Sequence, residues 1–335
     1  MSGLETNLLK LYAPLMAWVG LGIVLGRKLP TVVPFQLGQF LFWIGVPVSI
    51  VVFLRQADLS ASIWIAPIVA WIAIALGAGF AWAWIQGQAY LARLAARYLE
   101  APVGLSWWQR RLATSAQPIP QRPSQGSFLL SAMIGNTGYL GYPVILALVG
   151  PQYFGWAIFY DTIGSTLGAY GLGVLLAARF GMATQNPWRL IAATLKNPAL
   201  WSFGFGLGFR RIPFSEPVEG SLRGAAWGVI ALSLLLIGMR LSQLRSWRSM
   251  KRAIVSLSIK MLIVPLLVGL GLTWVGFTGP PQLVIVLQVA MPPAFATLVI
   301  AEAYNLDREL AVTALAVGSM GLLVMLPIWL WLFAA

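Results

Sequence analysis

Ten stretches of this chain are mostly apolar and about 20 residues long, the length a helix needs to cross a lipid bilayer. They lie near 8–26, 35–54, 62–85, 127–149, 152–178, 190–209, 224–244, 253–276, 282–303 and 310–333. Lipid offers no hydrogen-bond partners, so the backbone of each stretch must satisfy itself as a helix. The short alternating segments of an outer-membrane barrel do not occur. Composition agrees: 9% of residues are charged, against about 25% in a soluble domain. The expected fold is an all-α integral membrane protein with ten transmembrane helices and the bilayer as its solvent. The first apolar run continues to Arg27 and Lys28 without a small-residue cleavage site, and so reads as a membrane helix.

The net charge of +13 follows from where the cations sit. Arg27 and Lys28; Arg93, Arg97, Arg110, Arg111 and Arg122; Arg179 and Arg189; and Arg245, Arg248, Lys251 and Arg252 fall in the loops after spans one, three, five and seven. The positive-inside rule makes those loops cytoplasmic and turns both termini outward. The loop after span six, with Arg210, Arg211 and Arg223 against Glu216 and Glu219, runs against this trend. Read this way, the charge orients the chain and calls for no nucleic-acid partner. The one long polar insert covers 86–126. It opens with an amphipathic stretch, Gln88 to Arg97, suited to the membrane surface. It closes on a Pro- and Gln-rich linker within 101–126.

The chain has no Cys and no His. That excludes Cys/His zinc sites, thiol redox chemistry, haem on an axial His and a Ser-His protease. No Gly-x-x-x-x-Gly-Lys-Ser/Thr loop is present to cradle ATP. The sequence therefore points away from an enzyme, and it implies no cofactor beyond a coupling proton or sodium ion.

The chain repeats itself. Span one runs Pro14 to Gly22 and ends Arg27-Lys-Leu-Pro30; span six runs Pro198 to Gly206 and ends Arg210-Arg-Ile-Pro213. Ile44-Gly45 matches Ile237-Gly238, and Pro67 matches Pro265. Five crossings per copy is an odd number, so the second copy is inverted. The first repeat takes 1–100 and 127–180, with 101–126 as a cytoplasmic linker; the second takes 187–335. Spans four and nine are interrupted near the middle in both copies, and in transporter folds such paired breaks hold the binding site.

Span four carries Gly135-Asn-Thr-Gly-Tyr-Leu-Gly-Tyr-Pro143, whose glycines and proline unwind a helix. Its candidates for substrate contact are Gly135, Asn136, Thr137 and Pro143. The Asn136 amide can donate and accept, and the half-helix after the break aims its positive end at an anion. Span nine carries Gln288 to Thr297 around Pro292 and Pro293, which free upstream carbonyls. Its candidates are Gln288, Pro292, Pro293 and Thr297. Asp161, deep in span five, shares a helical face with Ser165 and Gly168 and is a candidate for proton or sodium coupling. Lys260 in span eight shares a face with Ser256 and Arg252. It is read as snorkelling to the cytoplasmic side, drawing in an anion, or pairing with Asp161.

The run Asn136 to Pro143 resembles the asparagine-to-proline motif of the auxin efflux carrier family, which includes the plant PIN proteins. Met291 to Asn305 with Leu326-Pro327 is similar to that family's last two helices, and Asn197-Pro198 and Ile237-Gly238 to its sixth and seventh. The resemblance implies crossing broken helices four and nine, a homodimer, and a transport body of spans three to five and eight to ten that rides elevator-like on a scaffold. It implies that Asn136 contacts substrate and that Pro292 is the second crossover proline. Gly135 stands where the plant members carry the first. The large loop after span five is nearly missing, which points to a prokaryote-type member of the plasma membrane moving small organic acids such as dicarboxylates. The function expected is secondary transport of a small organic anion, driven by membrane potential or a coupled ion. The alternative is a non-transporting receptor or complex subunit on the same fold.

Overall fold

A computed structural model describes residues 17–30, 32–56, 61–99, 119, 121–181, 198–242 and 249–334. The described residues form helices and no β-strand; one isolated antiparallel bridge joins Gly135 to Pro293. The helices are α1 (17–28), α2 (Val32–Arg55), α3 (Ile65–Leu99), α4 (Arg122–Met133), α5 (Thr137–Leu148) and α6 (Pro151–Phe180). They continue with α7 (Pro198–Phe209), α8 (Glu216–Ser242), α9 (Met250–Trp274), α10 (Pro280–Val289), α11 (Phe295–Ala303) and α12 (Arg308–Phe333). Six of the described helices are long and apolar enough to cross a membrane. Their outward faces carry bare aromatics, Trp274 at 90% and Trp331 at 72% exposure. Only lipid can cover such a surface, so the chain is an all-α integral membrane protein.

Glycines set the closest helix approaches. A Cβ on Gly22 of α1 would strike the Leu235 carbonyl of α8, and one on Gly238 of α8 would strike Val19 and Gly22 of α1. Gly206 of α7 lies on Val51 and Leu54 of α2 in the same way. Gly164 and Gly168 of α6 meet Ala70 and Ile74 of α3, a small-xxx-small contact. Helices α1, α2, α7 and α8 thus pack as one group. A second group joins α3 to α4 and α6, and α9 to α10 and α12. At one end of the second group Ser124 donates to Asp307 Oδ2 at 2.6 Å, and Ser127 to the Asp307 carbonyl at 2.8 Å. Asp307 Oδ1 also accepts the Leu310 N–H at 3.0 Å, capping α12.

Three widened π turns each end two residues before a proline: Leu41–Gly45 before Pro47, Thr137–Gly141 before Pro143, and Ile259–Ile263 before Pro265. Proline has no N–H to close the ordinary bond to the carbonyl four back, and a π turn re-spaces the ladder around that gap.

Two differences from the expected layout stand out. Gln88 to Arg97 belongs to α3, whose 35 residues run unbroken to Leu99. At 1.5 Å per residue such a helix is about 52 Å long, longer than the roughly 30 Å hydrocarbon core, so it rises out of the membrane instead of turning along its surface. Gln88-Ala-Tyr-Leu-Ala-Arg-Leu-Ala-Ala-Arg is rich in good helix formers, with no Gly or Pro to stop it. The second difference is at α8, which starts at Glu216, eight residues before the apolar run, because Glu216 and Glu219 favour its first turn. The linker at 101–118 and the start of span six lie outside the described residues.

Candidate functional site

Both expected breaks are present, and they meet. Between α4 and α5 residues Ile134 to Asn136 leave the helix; between α10 and α11 residues Met291 to Ala294 do. The two extended linkers pair. Asn136 N–H donates to the Pro292 carbonyl at 2.7 Å, and Ala294 N–H to the Ile134 carbonyl at 3.1 Å. Each break thus satisfies part of the other's exposed backbone, as a buried interruption in a membrane protein must. Gly318 of α12 backs the crossing: a Cβ there would lie 2.9 Å from Pro292 and 3.0 Å from Pro293.

The first break is narrower than the run of glycines suggests. Leu140 and Gly141 N–H both donate to the Asn136 carbonyl, at 3.2 and 3.1 Å, so Thr137 to Gly141 form a π turn. Pro143 sits in the first turn of the following α-helix, where its missing N–H is tolerated, and does not line the break. Asn136 is buried at 9% exposure. Its side-chain amide has no hydrogen bond among the described residues, which leaves two donors and an acceptor uncommitted at the crossing.

Asp161 is buried and faces the start of α5. The Thr137 hydroxyl donates to Oδ1 and the Tyr142 hydroxyl to Oδ2, the latter at 2.9 Å. Gly138 lies against the same carboxylate, its Cβ position 3.3 Å from Oδ2. The carboxylate therefore sits at the positive end of α5. Ser165 and Gly168 are not its partners, because the π turn Tyr160–Thr166 breaks the i+4 spacing. Tyr142 was missed in the sequence. It is held by an edge-to-face contact with Phe154, ring centroids 5.0 Å apart.

Lys260 does not snorkel and does not pair with Asp161. It is buried, and its ammonium donates to the Val289 carbonyl at 2.7 Å. Gly135 makes room for it: a Cβ there would lie 3.1 Å from both Cε and Nζ. Gln288 is fully buried, with Nε2 3.4 Å from the Ala157 carbonyl and Oε1 unpartnered among the described residues. Its amide presses on Gly141. The Thr297 hydroxyl bonds the Ala294 carbonyl at 2.7 Å and so serves the start of α11. The structure thus gathers Gly135, Asn136, Thr137, Asp161, Lys260, Gln288, Pro292 and Pro293 around one crossing.

Among proteins of known family, residues 119–330 match the model of the family described as "Membrane transport protein". An uncharacterized transporter of Methanothermobacter thermautotrophicus is 30% identical over 233 residues, 69% of this chain and 73% of that protein. An uncharacterized transporter of Methanocaldococcus jannaschii is 26% identical over 216 residues, 62% of this chain and 68% of that protein. The family is one of transporters and not of enzymes. The matched region contains both breaks, Asp161 and Lys260, and the chain belongs to this membrane transport protein family, the auxin efflux carriers.

Proposed function

We propose that this protein is a secondary carrier for a small organic anion, with the substrate bound where the two broken helices cross. The observation that carries the reading is the crossing itself: two interrupted helices hydrogen-bonded through their breaks, with the Asn136 amide buried there and uncommitted. Asn136 and Thr137 with Gly135 and Pro143, and Gln288 and Thr297 with Pro292 and Pro293, are the proposed substrate-contacting and shaping residues. Pro143 acts through the π turn it enforces. Asp161 is the proposed seat of a coupled proton or sodium ion; otherwise membrane potential drives the cycle.

The fold proposed is ten spans in two inverted five-helix repeats, 1–100 with 127–180 and 187–335. It is supported by packing that comes in matching couples. Exchanging the halves maps α1 on α8 to α7 on α2, α3 on α6 to α9 on α12, and α3 on α4 to α9 on α10. A homodimer in the plasma membrane with both termini outward, cycling elevator-like, completes the proposal.

The test is reconstitution in liposomes with small carboxylates screened for charge movement and labelled uptake, across pH and sodium gradients. Specific flux, with substrate binding to purified protein weakened at least tenfold by Asn136→Ala, is the expected result; one lost buried hydrogen bond to a charged ligand is worth about 1.5–3 kcal/mol. Binding unchanged in Asn136→Ala removes the site assignment.

A further inference from the structure

In the last turn of α10 the Val289 carbonyl loses its ordinary backbone partner. The Val289 carbonyl would accept from the N–H of residue 293, and residue 293 is a proline. The Gln288 carbonyl faces the same loss at Pro292 and takes the Met291 N–H instead, at 3.3 Å. Val289 is fully buried and stands at the C-terminal end of a ten-residue helix, where aligned peptide dipoles place partial negative charge. In transporters, freed carbonyls and half-helix C-termini of this kind coordinate alkali cations.

Here the position is filled by the chain itself. The Lys260 ammonium donates to the Val289 carbonyl at 2.7 Å, from a side chain 3% exposed. No carboxylate forms an ion pair with it among the described residues; Asp161 is engaged by Thr137 and Tyr142. An ammonium without a counter-charge is costly to bury, so it needs fixed negative dipoles aimed at it. Two local features serve that placement. Lys260 sits within the π turn Ile259–Ile263 of α9, and Gly135 on the opposite linker leaves space at Cε and Nζ.

We propose that Lys260 is a built-in cation: its ammonium occupies the carbonyl site that Pro293 opens at the end of α10 and keeps alkali cations out of it. The inference rests on reading the crossing as a carrier site and narrows its coupling. Sodium or potassium does not bind at the second break, and coupling is left to membrane potential or to Asp161.

Thermal unfolding of the purified full chain tests this without any substrate. Wild type, Lys260→Ala, Lys260→Met and Lys260→Arg are compared in choline chloride, then in sodium, potassium or n-propylammonium chloride at equal ionic strength. Lys260→Ala should unfold several degrees lower in choline, recover most of the loss in propylammonium and part of it in sodium or potassium. Lys260→Arg should respond as wild type does. Lys260→Met, which fills the space without the charge, should be lowered and not rescued. The proposal falls if Lys260→Met matches wild type, or if Lys260→Ala responds to these cations no more than wild type. If Lys260→Ala does not survive purification in choline, it is prepared in propylammonium, and failure there also overturns the proposal. A wild type that moves no organic anion, beside a Lys260→Ala rescued by the amine, would retire the carrier reading alone. Anion flux beside an unrescued variant would retire the built-in cation alone.

Discussion

Asp161 is held in membrane-depth surroundings by two hydroxyls from a different helix. Thr137 and Tyr142 are five residues apart, and the π turn between them brings both to the carboxylate. Hydrogen bonds to a charged acceptor contribute about 1.5–3 kcal/mol each. Tyr142→Phe and Thr137→Val should therefore each lower stability in detergent by about that much. The double variant should lose a different amount from the sum, because the two donors share one acceptor group. A Tyr142→Phe protein that unfolds with the wild-type midpoint would mean that the hydroxyl does not hold the carboxylate. In the sequence, Asp161 was legible as a charge at depth and Thr137 as part of a break. Tyr142 was not, because helical periodicity sets residues five apart on different faces, and only the widened turn before Pro143 aligns them. Lys260 was legible as a cation within span eight, with snorkelling, an incoming anion or Asp161 as its expected outlets; its acceptor is instead a backbone carbonyl 29 residues away, which no spacing rule reaches.

At the scale of elements, Gly and Pro announced both interruptions, yet they did not say where the backbone would unwind. Gly138, Gly141 and Pro143 stay helical, and the unwound part is confined to Ile134–Asn136. The linkers stop there because each finds hydrogen bonds in the other. That pairing is a tertiary fact, invisible to either segment alone. Gly141 has a second role: its missing Cβ admits the Gln288 amide, whose Cδ would lie 2.9 Å from it. Gly141→Ala should overpack this spot, costing about 1–3 kcal/mol, and should slow transport by displacing Gln288. Gly141→Ala combined with Gln288→Ala should recover stability relative to Gly141→Ala alone. If the double variant unfolds still lower, the clash is elsewhere. The same limit of local reading applies to Gln88–Arg97. Its amphipathic pattern fits a surface helix as well as the protruding end of α3, and only the absence of a stop signal before Leu99 decides between them.

Taken whole, the molecule divides into the group α1, α2, α7 and α8 and the group that contains the crossing. One apolar contact between them is the cluster of Leu41, Val229 and Leu236, with Tyr139 of α5 packed against it; Phe53 on Phe154 and Phe203 on Phe159 join the groups elsewhere. Tyr139 belongs to the π turn at the crossing, so any sliding of one group past the other must withdraw this side chain from the cluster. The chain has no cysteine, so an introduced pair reports without background. Tyr139→Cys with Leu236→Cys, bridged by a short bifunctional maleimide, should abolish flux while purified protein still binds substrate. Phe180→Cys with Leu306→Cys, both of which meet at Gly126 inside the second group, should be bridged without loss of flux. Flux that survives the first bridge would mean that the groups do not move relative to each other at Tyr139. Transport would then require rearrangement within the second group, and the Ser124–Asp307 and Gly318–Pro292 contacts would have to open instead. Loss of flux in both pairs would place the essential motion inside the group that contains the crossing, and the elevator reading would give way to local gating around Asn136.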